Sequence, residues 1–75
     1  MKPNKQVIEE LTAERKEYED KNKKLYHFFT RNRKSLTLGQ IDGMQFQLTG
    51  FTILINALTM RIRDLMMEVE DENNN

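Results

Sequence analysis

The chain has no cysteine, one proline, one histidine and one serine, and no charged residue along eighteen consecutive positions, Gly43 to Met60. Each shortage excludes something. Without cysteine there are no disulfides and no thiolate–zinc sites. With only His27 and Ser35 available, nucleophilic catalysis has no orienting acid and no marked oxyanion hole. No carboxylate–histidine cluster has metal-ligand spacing, and no glycine-rich loop is built to cradle phosphate. The expectation is therefore a non-enzyme with no metal and no cofactor. A net charge of zero argues against binding long nucleic acid through bulk charge. The opening MKPNKQVIEE lacks an apolar core of signal-peptide length, which points to the cytoplasm. The charge-free run is marginal in length for a membrane span, which needs roughly 17–25 residues. It also carries Gln45, Gln47 and Asn56, which are costly in lipid, so no membrane partner is expected.

What the chain does have is helical pattern. Seventy-five residues make one small domain, 1–75, too short to bury a large core alone, so an oligomer is the natural source of the missing burial. Pro3 and Asn4 mark a helix start. From about residue 5 to 30 the chain is rich in Glu and Lys, with Glu17–Lys21, Glu19–Lys23 and Asp20–Lys24 as favourable i,i+4 pairs. Ile8, Leu11, Tyr18, Leu25 and Phe29 form a narrow apolar stripe that Arg15 and Asn22 interrupt. Thr30 to Leu36 reads as a turn. Thr37 and Gln40 fit a capping box, and Leu36 and Ile41 a hydrophobic staple, so a second helix should begin at Thr37 and run to about Val69. In it Ile41, Met44, Leu48, Phe51, Ile55, Leu58, Ile62, Leu65 and Val69 alternate steps of three and four without a miss, a coiled-coil seam for the first helix. The fold expected is all-α: an antiparallel two-helix hairpin, about 5–30 and 37–69, assembling as a helical homo-oligomer, with 70–75 a disordered acidic and Asn-rich tail.

Two further rows lie on the second helix. Gly43, Phe46, Gly50, Ile53, Ala57 and Met60 form an apolar, glycine-notched row suited to another subunit, and Met67 continues its large positions. Glycine costs about 1 kcal/mol against Ala in a helix interior, so its repetition suggests close approach by another backbone. Gln45, Thr49, Thr52, Asn56 and Thr59 form an uncharged polar row, suited to a partly buried interface or a ligand cavity. Arg61 is placed to pair with Asp64.

The turn is the candidate site. Tyr26, His27, Phe29, Arg31, Arg33, Lys34 and Ser35, with Gln40 at the start of the second helix, combine aromatic rings, cations and polar groups. Arginine forks match phosphate oxygens, and a helix N-terminus presents free N–H groups. Tyr26, Phe28 or Phe29 suits stacking on a base. Phe28 and Phe29 suit equally well the capping of a hairpin core, with the cations merely solvating the turn.

Leu25-Tyr26-His27-Phe28-Phe29, followed by Met44, Gln47-Leu48, Phe51, Leu54, Leu58 and Arg61-Ile62, resembles a family of small helical-hairpin proteins of tailed phages grouped around a crAss-like phage member. The resemblance covers about residues 7–65. Family members tend to have strong helix formers where this chain has Gly43 and Gly50. The segment 33–41 is similar in style to viral sponge proteins that counter CBASS and Thoeris defence. These resemblances imply a phage anti-defence protein that sequesters a cyclic nucleotide immune signal, without catalysis, in the cytoplasm of an infected bacterium. The partners implied are self and a cyclic nucleotide or other small phosphate ligand. The alternatives are a protein–protein module that inhibits a host protein and a structural phage protein.

Overall fold

The computed structural model describes residues 3–74. Two helices pack against each other as a hairpin: α1, Asn4–Asn32, and α2, Leu38–Asn74, joined through a short 3₁₀ turn at Arg33–Ser35. The molecule is a rod of 59 × 20 × 14 Å. Among the described residues no helix is long and apolar enough to cross a membrane.

The local chemistry explains the boundaries. The Pro3 carbonyl accepts from the amides of Gln6 and Val7 and opens α1. Thr37 caps α2: its Oγ1 accepts from the Gln40 amide at 3.2 Å, half of the expected capping box. Leu36 and Ile41 are both half-buried, as a staple requires. Two ends differ from expectation. α1 runs through Thr30 to Asn32, because Asn32 Nδ2 donates to the Phe28 carbonyl at 2.9 Å and satisfies an orphan group at the helix end. Ser35 Oγ then donates to the Asn32 carbonyl, and the chain turns with no positive φ and no glycine. At the other end α2 continues to Asn74, beyond the expected end at Val69. The residues expected to be a disordered tail are helical as far as they are described, since no Gly or Pro there interrupts the i→i−4 ladder. Asn75 lies outside the described residues.

The nine-residue seam of α2 faces α1 throughout. Leu58 and Ile62 are buried and the other seven are half-buried. On α1 the matching stripe includes Arg15 and Asn22, both half-buried in line with Leu11, Tyr18, Leu25 and Phe29. Leu11, Leu58 and Ile62 form the core, with Val7, Ile8, Tyr18 and Leu65 packed on it. The Tyr18 and Phe51 rings lie 6.1 Å apart, tilted by 40°. Asn4 Nδ2 donates to Glu68 Oε2 at 3.0 Å and ties the open end of the hairpin. Only Leu11, Phe29, Leu58 and Ile62 are buried among the described hydrophobic residues. That core is small for 75 residues.

The charged face of α1 carries i,i+4 pairs, not all of them as expected. Glu17–Lys21 forms at 3.5 Å, but Glu19 pairs with Arg15 at 3.5 Å and Asp20 with Lys16 at 2.8 Å. The hydrogen bond from Lys16 holds the Asp20 carboxyl below the usual carboxylate range, and the same bond raises the Lys16 ammonium.

Candidate functional site

The longer α1 rearranges the expected site. With the helix intact to Asn32, residues 24, 27, 28 and 31 fall on one face at steps of three and four. Lys24, His27, Phe28, Arg31 and Asn32 line an open groove of about 410 Å³ on the outside of the hairpin. Phe28 is half exposed there. Neither Lys24 nor Arg31 makes an ion pair among the described residues. The groove thus places two cations, neither of them in an ion pair among the described residues, beside an aromatic face and an imidazole.

The remaining expected ligand residues are dispersed. Phe29 is not open to a base: it is 7% exposed, because it continues the apolar stripe that packs on α2. Arg33 turns toward that ring, its Cζ 5.4 Å from the Phe29 centroid, so this cation covers the core rather than joining Arg31. Ser35 donates locally to Asn32 and closes the turn. Lys34 is exposed on the 3₁₀ turn, and Gln40 is exposed on the first turn of α2. Tyr26 is 55% exposed and meets His27 edge-on at 6.3 Å. Of the eight expected residues, His27 and Arg31 are therefore brought into one groove. Lys24 was missed because the spacing assigned it to Asp20, whose nearest cation is Lys16.

The polar row of α2 also separates. Thr52 and Thr59 donate to carbonyls of their own helix, Leu48 at 3.1 Å and Ile55 at 2.9 Å. Gln45 and Thr49 line a second open groove of about 360 Å³ with Asp42 and Phe46. Asn56 is exposed. Arg61 does not form the expected pair with Asp64. Among the described residues no group of three or more His, Cys, Asp or Glu is placed to hold a metal ion.

The expected subunit row remains uncovered in the hairpin. Phe46, Ile53, Met60 and Met67 are 78, 62, 71 and 64% exposed. Gly43 and Ala57 are exposed and Gly50 is half-buried.

Comparison with protein-family models, curated proteins and solved structures finds no match. Function is therefore read from the geometry of these surfaces.

Proposed function

We infer that this chain is one subunit of a non-catalytic homo-oligomer that binds and sequesters a small phosphate-bearing ligand. The observation that carries this reading is the outer groove of α1, where Lys24 and Arg31 stand unpaired around Phe28 and His27. A guanidinium fork and an ammonium suit phosphate oxygens. An exposed aromatic ring suits a base, by an amount of about 1–3 kcal/mol where such stacking is measured. The sequence resemblance to viral sponges narrows the ligand class to cyclic nucleotide immune signals. Sequestration needs tens-of-nanomolar affinity, about −10 kcal/mol. An open groove does not supply that alone, so a further subunit docked on α1, apart from any contact through α2, has to close it.

The test is a thermal-shift and calorimetric panel of cyclic dinucleotides and cyclic ADP-ribose isomers, on the unmodified chain and on Lys24→Glu/Arg31→Glu. The reading expects stabilisation by one ligand class that the double variant loses while its helical circular dichroism is unchanged. No shift at saturating ligand across the panel removes the ligand reading.

A second reading, a module that grips a host protein, is favoured by a different observation. The apolar row of α2 is more exposed than a lone hairpin in water tolerates well. Under it, charge reversal at Lys24 and Arg31 has little effect on activity, and substitution along α2 abolishes it.

A further inference from the structure

We propose that α2 pairs antiparallel with α2 of a second copy of this chain, about a two-fold axis level with Phe51 and Thr52. This rests on the self-association in the reading above and is independent of its ligand.

The first support is that α2 carries two seams. One packs on α1. The other, on roughly the opposite side, is Gly43, Phe46, Gly50, Ile53, Ala57 and Met60, again alternating steps of three and four. In a solvated hairpin those outer positions carry charge. Here they carry none, and the three large side chains are mostly exposed.

The second support is the glycines. Neither Gly43 nor Gly50 has a positive φ, and a Cβ built on either meets no atom within 4 Å. The hairpin therefore gives no reason for glycine at two helix-interior positions, each costing about 1 kcal/mol against Ala. The reason has to lie outside the hairpin, in something that approaches this face closely.

The order of small and large residues then selects direction and register. Antiparallel packing sets the small row of one helix against the large row of the other. With the axis at the centre of the charge-free run, Phe46 meets the partner's Ala57, Ile53 meets the partner's Gly50, and Met60 meets the partner's Gly43. Every large side chain enters a notch. Parallel packing sets glycine against glycine and Phe46 against the partner's Phe46, so voids alternate with overcrowding.

Charge gives the same answer independently. Asp42 stands immediately before the run, and Arg61 and Arg63 close behind it. None of the three makes an ion pair or hydrogen bond among the described residues. The register set by the seam places Asp42 beside the partner's Arg63 on one flank, with Thr49 beside the partner's Asn56 on the same flank. Parallel pairing sets Asp42 across from the partner's Gln47 and leaves it without a cation. The antiparallel interface is isologous and closes on itself as a dimer of hairpins in the order α1–α2–α2–α1, with both α2 helices inside. The run lacks charge because α1 covers one side of it and the second copy another.

Because the chain has no cysteine, single cysteines report the arrangement cleanly. Phe46→Cys and Ala57→Cys chains are prepared separately, then oxidised alone and as a mixture, with sedimentation of the unmodified chain alongside. The mixture is expected to give a disulfide-linked dimer at least tenfold faster than either chain alone. Two copies of residue 46 in this register are offset by about 16 Å along the axis, beyond the reach of a disulfide. In a second arm, Asp42→Arg and Arg63→Asp each weaken dimerisation several-fold, and the two together restore it to within about twofold. Efficient self-linking of Phe46→Cys, or failure of the double charge swap to restore the dimer, overturns the antiparallel register while leaving self-association standing. A monomer at all concentrations overturns both. Loss of ligand binding alone touches neither.

Discussion

Arg15 donates from Nη1 to Oγ1 of Thr59 at 3.1 Å, across the hairpin from α1 to α2. Thr59 Oγ1 in turn donates to the Ile55 carbonyl at 2.9 Å, and Arg15 also meets Glu19 at 3.5 Å. A charged side chain thus occupies a seam position between Leu11 and Tyr18 without an unsatisfied buried polar atom among the described residues. Among the described residues, the Arg15–Thr59 contact is the one side-chain hydrogen bond between the middles of the two helices.

Replacing Arg15 separates packing from this hydrogen bond. Arg15→Leu should leave the hairpin as stable or raise its stability by about 1 kcal/mol, because apolar burial offsets the lost bond. Arg15→Ala should lower it by about 1 kcal/mol, since Thr59 loses a partner and the seam loses a stem. Thermal denaturation followed by circular dichroism distinguishes the two directions.

The core is so small that single truncations within it should be severe. Ile62→Ala or Leu58→Ala removes a buried seam residue and is expected to cost about 2–5 kcal/mol. A helical signal that persists at 25 °C without a lowered melting temperature would contradict the packing described.

Phe29 and Tyr26 make a matched pair for telling core from site. Phe29→Ala should destabilise the hairpin by about 3–5 kcal/mol, because the ring is buried. Tyr26→Ala should change stability by less than about 0.5 kcal/mol, because that ring is exposed. Urea titration of both variants checks the contrast.

Glycine substitutions separate the hairpin from its assembly. Gly50→Ala should keep the fold and add up to about 1 kcal/mol of helix stability, since the backbone is helical and the Cβ meets open space. Gly50→Leu should also keep the hairpin but raise the dissociation constant of the proposed dimer at least tenfold by filling the proposed notch. Circular dichroism and sedimentation measured on the same samples read the two effects apart.

Much of this fold was legible in the sequence because the determinants are local. The uninterrupted alternation from Ile41 to Val69 has no competing period, and all nine residues are buried or half-buried. Thr37 announced the start of α2 because a cap needs only a hydroxyl and an amide three residues on. The end of α1 was hidden. Thr30, Asn32 and Ser35 read as turn formers, yet their side chains donate to the carbonyls of His27, Phe28 and Asn32 and carry the chain through the turn. That shift recast the site. It set Arg33 over the ring of Phe29, which the apolar stripe already turned toward α2, and it aligned Lys24 with Arg31. Ion-pair choice was equally opaque, because Asp20 has cations both four residues before it and four after it. The spacing does not decide between Lys16 and Lys24.

Native mass spectrometry of the unmodified chain, across micromolar concentrations and without added ligand, tests the central claim of an incomplete hairpin most directly. The account predicts a dimer or a multiple of it, with any captured phosphate ligand visible as added mass per subunit. A monomer at every concentration, with its apolar row left in water, would contradict it.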